Sequence, residues 1–347
     1  MRAIVFDGPG SIALREVPAP TLLDAKDVLV GVTLAGICGT DLHVIDGDPS
    51  GLERGAIVGH EFVGDIVAIG AGVSQLRVGD HVMASDFTAC GHCRWCTRGD
   101  HWECSDRAFF GTGSSFGQVL SGAQAEIVRV PNAETTLAKV PMGCSDEAAI
   151  LIGDNLATGW AAVERGDVRP GDTVAIIGGG AVGQLASLSA QVAGASVVVV
   201  VEPSERRRQF ARANGALGVP PEGAPSLVSR LTQGDGFDVV IEAVGSSGPL
   251  RAAFDLVRKR GRIVSVGAHA SEEWQFPLAK SFANELTLSF AIGDSIRLRP
   301  RLSSLIGTGV LDPTVVIDAR ISFSEAVDTY RDLKAQKIMK AVIDPRR

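Results

Sequence analysis

The sequence predicts an α/β protein of two domains, one rich in short strands and one built on a doubly wound parallel sheet. Three observations carry this. The chain has 347 residues, more than a single core usually holds. Its first part, to about residue 150, breaks into β-type runs, "DVLVGVTLAG", "FVGDIVAIG" and "DHVMAS", separated by glycine and proline turns. From about residue 156 strand and helix patterns alternate, as expected of βα units that cover both faces of a parallel sheet.

In chain order, the alternating part predicts strands at 173–177, 196–201, 238–242 and 262–266, with helices at 181–193, 204–214 and 249–258 between them. Residues 173–201 carry no charge and are long enough for a membrane span. Three consecutive glycines, two glutamines and several serines divide them instead into strand, turn, helix and strand. The run "SVVVVV" then reads as a parallel strand buried on both faces. Beyond about residue 292 the segments shorten at Pro300 and Pro313, and "SFSEAVDTYRDLKAQ" predicts a closing helix.

A net charge of −7 gives nucleic acid no electrostatic footprint and points to a small-molecule partner. The N-terminal run meets Asp7 and Gly8-Pro9 too early for a secretory core, so a cytoplasmic location is expected. In a reducing compartment, crowded cysteines point to metal before disulfides.

"VAIIGGGAVG" matches G-x-G-x-x-G at Gly178, Gly180 and Gly183, directly after a predicted strand and at the start of a helix. The first glycine permits a tight turn, the second lets a pyrophosphate approach the backbone, and the third lets helix and strand pack closely. Glu202 ends the next strand. A carboxylate there accepts hydrogen bonds from a ribose and repels a 2′-phosphate, which favours NAD over NADP. One of Arg206, Arg207 and Arg208 is in reach of a phosphate; the other two are expected on a solvated helix face.

"CGHCRWCTRGDHWEC" spaces Cys90, Cys93, Cys96 and Cys104 as C-x2-C-x2-C-x7-C. Four thiolates close a tetrahedral zinc completely, so this cage holds a loop and leaves no position for a reacting group. An iron–sulfur cluster or two disulfides are the other readings of four cysteines. Chemistry needs another place. "GICGTDLH" groups Cys38, Thr40, Asp41 and His43, and "GHEFVG" supplies His60 and Glu61, which together make half of an open zinc site.

On these residues the chain resembles the zinc-dependent medium-chain alcohol dehydrogenases over nearly its whole length. The resemblance implies a GroES-like catalytic domain at 1–155 and 292–347, with a structural zinc lobe at about 88–106, and a Rossmann NAD-binding domain at 156–291. It implies that Cys38, His60 and Asp154 hold a catalytic zinc, the last standing where many members have cysteine in their Cys2His set, as in the branch of bacterial secondary-alcohol dehydrogenases. Cys144 is the rival third ligand; its setting, "VPMGCSDEAA", suggests a helix start instead. Glu61 is expected behind the metal, and Thr40 and His43 as a proton relay. Cofactor contacts are expected at Thr158, Gly178, Gly180, Val182, Gly183, Glu202, Arg207, Val244 and Gly267. Gly39 stands where other members often carry a basic residue.

The implied activity is hydride transfer between an alcohol, with secondary alcohols favoured, and NAD, with carbonyl reduction in reverse, using two Zn2+ per chain in an oligomer, tetrameric or dimeric. A polyol, butanediol or formaldehyde-type dehydrogenase of the same family is the alternative, followed by a non-catalytic nucleotide-binding relative and a zinc-free quinone reductase.

Overall fold

The computed structural model describes residues 1–47, 51–269 and 273–347. They form two compact units, Met1–Asp154 with Asp294–Arg347, and Asn155–Gly293.

The first unit is built on a seven-stranded sheet whose path runs Leu137–Lys139, His81–Ala84, Phe62–Ile69, Val28–Ile37, Ala341–Asp344 and Ala319–Ser322, with Ile127–Val130 also pairing to Val28–Ile37. Its long strands alternate apolar residues toward a core containing Val28, Val30, Ile37, Phe62, Phe110, Val128 and Phe323. Burying each such side chain contributes about 1.5–3 kcal/mol. Register is what positions chemistry here. Ala35 lies opposite Phe62 and Ile37 opposite Ala341, both in antiparallel pairs. The residue that follows Ile37 and those that precede Phe62 and Ala341 therefore meet at one end of the sheet.

The second unit carries six parallel strands: β1 (Thr173–Ile177), β2 (Val197–Val201), β3 (Leu217–Val219), β4 (Phe237–Glu242), β5 (Val257–Ser265) and β6 (Thr287–Phe290). Their order is β3-β2-β1-β4-β5-β6, the doubly wound arrangement. Val198 to Val201 are buried, so the valine run is an interior strand. Among the described residues no helix is long and apolar enough to cross a membrane.

Two expectations need correction. Strand β5 begins at Val257 rather than 262, and the helix before it spans Ser247–Leu256 rather than 249–258. Val257 already pairs with Phe237; the ladder then shifts register past Arg260, which adopts φ 56°, so the strand continues through an irregularity that hides its start. Nor does Pro300 end a segment, since it lies inside the helix Ser295–Gly307. Asp294 caps that helix by accepting from Arg297 N–H at 2.9 Å, and buried Ile296, Leu298 and Leu302 hold it through the missing bond.

His81 bridges two carboxylates, with Nδ1 2.7 Å from Asp65 and Nε2 2.8 Å from Asp146. Partial burial alone would lower its pKa; Asp146 and Asp65 outweigh it and raise the value. A raised folded pKa stabilises below the unfolded value, about 6.5, and the gain is lost as pH rises through the folded value. His81→Gln is therefore expected to destabilise by roughly 0.5 kcal/mol at pH 5.5, a modest figure for so exposed a group, and by less at pH 8.5. Urea unfolding at both values measures the difference.

Candidate metal centres and nucleotide turn

Cys38 leaves the strand Val28–Ile37 in extended conformation and caps the helix Gly39–Asp46. Asp41, in the first turn, reaches back so that its Oδ2 accepts from Cys38 N–H at 2.9 Å. His60 and Glu61 stand just before Phe62, and Gly36 N–H donates to the Glu61 carbonyl at 2.9 Å. A Cβ on Gly36 would fall 1.8 Å from Glu61 Oε2, so the carboxylate passes where only glycine leaves room. Asp154 follows the helix Asp146–Ile152, which is capped by Ser145 accepting from Ala148 N–H at 3.2 Å.

These routes bring one donor atom each of Cys38, His60, Glu61 and Asp154 within 4.8 Å of one another. Asp154 Oδ2 is 3.4 Å from Cys38 Sγ and 3.3 Å from His60 Nε2. A tetrahedral zinc separates its ligand atoms by roughly 3.3–3.8 Å, given bonds of about 2.0 Å to nitrogen or oxygen and 2.3 Å to sulfur. The donor set fits that ion.

Charge gives a second test. A thiolate and two carboxylates carry three negative charges against the single positive charge of Lys340, whose Nζ donates to Glu61 Oε2 and, at 3.2 Å, to the Ile37 carbonyl. A dication closes this sum with His60 neutral. Without it the groups strain one another. Burial, and then the charge of Asp154, push the Cys38 thiol up. Burial raises Glu61 to about 7 despite Lys340. For His60 burial works downward, but Asp41 and Asp154 raise its pKa well above the ordinary value. Asp154 is lowered, hydrogen bonding to His60 outweighing its burial.

Behind His60, Asp41 Oδ1 sits 3.0 Å from Nδ1, so Nε2 faces the cluster. Asp41 is supported in turn by Gln124 Nε2 and Tyr330 Oη, each 3.3 Å from Oδ2 and joined to each other at 2.8 Å. Thr40 Oγ1 lies 3.8 Å from Cys38 Sγ, and His43, one turn further along the helix, is exposed. Asp86, past the strand His81–Ala84, is also buried; burial and then the Asp154 charge push its carboxyl well above the usual range.

Cys90, Cys93, Cys96 and Cys104 form a second cluster. Sγ of Cys96 is 4.0 Å from that of Cys90 and 3.5 Å from that of Cys93, far from disulfide bonding and close to the spacing of thiolates on one ion. Amides of Cys90 and Cys93 donate to the sulfurs of Cys104 and Cys90, both at 3.3 Å. The lobe rests on Phe87, Trp102, Phe109 and Phe116, and His101 N–H donates to Asp294 Oδ2 at 2.8 Å. Cys144 stands in neither cluster; it is half-buried beside the Ser145 cap.

In the second unit, Gly178 ends β1 with φ 99°, and a Cβ on Gly183 would lie 1.9 Å from the Gly178 carbonyl oxygen. Nothing stands within 4 Å of a Cβ built on Gly180, which caps the helix Ala181–Val192 containing Val182. A close turn with open space over a helix N-terminus fits a dinucleotide pyrophosphate. Glu202 is 3% exposed and accepts from Gly179 N–H at 2.7 Å and Ser204 N–H at 2.8 Å. Val244, at the end of β4, packs where a Gly178 Cβ would stand, and a Cβ on Gly267 would meet Gly245 N at 2.1 Å. Thr158 lies on the helix Asn155–Arg165, against Gly293.

The arginine run differs from expectation, since only Arg206 faces solvent. Arg208 donates to the carbonyls of Glu202 and Pro203 at 2.7 and 2.6 Å, and Arg207 Nη1 lies 3.9 Å from Glu202 Oε2. Open backbone carbonyls at the strand end and a buried carboxylate draw both side chains inward. Sequence reasoning also assigned no role to Asp41, Lys340, Gln124, Tyr330 or Asp86. Only Asp41 left a local signal, an acidic residue three positions after a helix cap.

A dinucleotide turn on a doubly wound sheet, with a buried mixed-donor metal site and a separate thiolate cage on the other unit, defines a class of metal-dependent oxidoreductases. The comparisons give the particular family. The alcohol dehydrogenase GroES-like domain matches residues 24–142 and the zinc-binding dehydrogenase domain residues 181–306. A probable zinc-binding alcohol dehydrogenase of Mycobacterium tuberculosis is 39% identical over 337 residues, 97% of this chain and 86% of the relative. The solved alcohol dehydrogenase TADH from Thermus sp. ATN1 is 36% identical with a TM-score of 0.94 and 99% of each chain covered. A Sinorhizobium meliloti 1021 protein solved bound to NADP is 27% identical, with a TM-score of 0.85 and 99% of each chain covered. The chain belongs to the zinc-dependent medium-chain dehydrogenase/reductase family, whose members bind zinc and a nicotinamide cofactor.

Asp41→Asn is expected to weaken zinc at the mixed-donor site by about 10- to 100-fold, as loss of a histidine-orienting carboxylate does. Chelator competition measures it, with the four-cysteine cage as internal reference. Equal retention of both ions by the variant would show that Asp41 does not orient the ligand.

Proposed function

We propose that the chain oxidises an alcohol, a secondary alcohol by preference, with NAD as hydride acceptor, and reduces the matching carbonyl in reverse. The observation that carries this reading is the convergence of Cys38, His60 and Asp154 on one buried point, apart from the closed cysteine cage. Zinc held there supplies Lewis acidity, which makes an alcohol easier to deprotonate and a carbonyl easier to attack.

The chain's own groups do the rest. Asp41 keeps His60 Nε2 toward the donors, and Lys340 pairs with Glu61 beside them. Thr40, at the edge of the cluster, offers a hydroxyl that accepts the alcohol proton while releasing its own toward the cofactor side, and exposed His43 ends the relay by exchanging a proton with water. Gly178, Gly180 and Gly183 receive the pyrophosphate. Glu202 keeps lone pairs beyond the two amides it already serves, and these accept a ribose hydroxyl while its charge repels a 2′-phosphate. Arg207 offsets part of that charge, so the preference for NAD is one of degree.

Asp154→Ala is expected to lower zinc from two to one per chain and abolish turnover while the fold persists. Cys90→Ser loses the other ion and with it stability, because structural zinc contributes roughly 10–16 kcal/mol of apparent binding energy in small peptides. Metal analysis with thermal unfolding separates the two; unchanged turnover in Asp154→Ala removes that residue from the site.

Glu202→Gln keeps the side-chain volume and removes the charge. The ratio of kcat/KM with NAD to that with NADP is expected to fall roughly tenfold or more, the value of one charged hydrogen bond. Steady-state rates with both cofactors test this, and an unaltered ratio excludes the ribose contact.

A further inference from the structure

A hydrogen-bonded chain with no part in metal binding or in the pyrophosphate turn joins the carboxyl ends of β4 and β5. Glu242, the last residue of β4, is fully buried, and its Oε1 accepts from the amides of Val244 and Gly245 at 2.8 and 2.7 Å. Its Oε2 lies 2.6 Å from Oγ of Ser265, the last residue of β5, and that oxygen is 2.7 Å from His269 Nε2. A carboxylate only accepts, so the serine proton goes to Glu242 and the serine oxygen accepts from the histidine. The tautomer is thereby fixed: Nε2 keeps its proton, and in the neutral ring Nδ1 carries a bare lone pair.

The side chain of His269 keeps 26% of its surface in solvent, and its ring meets that of Phe290 edge-on, with centroids 6.1 Å apart. Among the described residues no hydrogen bond reaches Nδ1. A solvated acceptor needs no such support, whereas a ligand contact gains from an orientation locked by buried groups behind it. A doubly wound sheet takes a dinucleotide across its switch point, with one mononucleotide over each half. Here β1 lies between β2 and β4, and Glu202, the proposed ribose reader, follows β2. The half formed by β4 and β5 therefore receives the nicotinamide nucleotide. Its surface suits a flat ring: Val244 is 43% exposed, a Cβ on Gly245 would fall 2.2 Å from the Ala268 carbonyl oxygen, and one on Gly267 would fall 2.1 Å from Gly245 N, so bare backbone packs on backbone beside His269.

We infer that His269 Nδ1 accepts a hydrogen bond from the carboxamide NH2 of nicotinamide and so sets the orientation of that ring. The nucleotide offers ribose hydroxyls and the carboxamide as donors. The ribose is joined directly to the pyrophosphate and stays toward β1, while the base reaches a strand further, to the end of β5 that His269 follows. The inference rests on the nicotinamide cofactor of the proposed reaction and adds a positioning residue to it.

Isothermal titration calorimetry on zinc-loaded protein tests this with three ligands: NAD, 3-acetylpyridine adenine dinucleotide, which carries a methyl where the carboxamide has NH2, and ADP-ribose, which ends at the ribose. His269→Phe keeps an aromatic ring on Phe290 and removes the acceptor. It is expected to weaken NAD about fivefold, the worth of one neutral hydrogen bond, and to leave the other two ligands within about twofold of wild type. Ser265→Ala, which releases the tautomer, shifts the same ratio by less, and His269→Asn, whose amide oxygen accepts, recovers part of the loss. An equal loss for NAD and the acetylpyridine analogue overturns the inference. A loss shared by ADP-ribose does so too, since the histidine would then serve the ribose or the fold, as does an unchanged NAD affinity in His269→Phe. Each of these leaves the dehydrogenase reading standing, whereas a wild type that binds ADP-ribose and no NAD sinks both.

Discussion

The balance of buried charge at the end of one antiparallel sheet is the constraint on which the rest of the first unit depends. Cys38, Glu61 and Asp154 are acidic donors brought out of water, and among the described residues Lys340, 1% exposed, is the fixed cation placed among them. Buried charges of one sign are tolerated only when paired or when they coordinate a metal. Strand register places Cys38, Glu61 and Lys340, because a slip by one residue would turn the side chains at these strand ends to the other face, while Asp154 enters from a helix end. Even Gly36 is dictated by this, since its missing Cβ is the space Glu61 occupies.

Around that centre the structure adds a tier that orients and does not react. Asp41 serves the Cys38 amide with one oxygen and stands beside the His60 ring with the other. Gln124 and Tyr330, from distant parts of the chain, support it. His60 also packs against Phe109 at 5.2 Å between ring centroids, and Phe109 belongs to the aromatic bed of the cysteine lobe. The lobe is thus continuous in packing with the donor cluster, so an ion that fixes the lobe also steadies a wall of the site.

The second unit solves a separate problem, a close approach of backbone to an anion. Its glycines act differently: Gly178 turns, Gly183 makes way for a carbonyl, and Gly180 leaves space outward. Glu202 ties that turn to the end of β2 through the Gly179 amide, so the residue proposed to read the ribose also braces the loop that receives the pyrophosphate. The proposed cofactor preference and the loop geometry thus rest on one carboxylate.

The sequence by itself determined the two-part architecture, the position of β1, the Gly-rich turn and the residue types of both metal clusters. Each is a local matter, set by period, turn chemistry and short spacing. It also pointed to Asp154 through a family resemblance, though not to its distances. Tertiary structure alone decided that Lys340 meets Glu61 across 279 residues, that Ser295 steadies Asp86 across 209, and that Tyr330 reaches Asp41 across 289. No local pattern marks such partners, because a lysine before a strand or an aspartate after one looks the same whether it ends in water or in a core. The course of the helix through Pro300 and the inward turn of Arg207 and Arg208 belong to the same group. In each case packing and unpaired carbonyls or carboxylates outweighed the local preference that the sequence expresses.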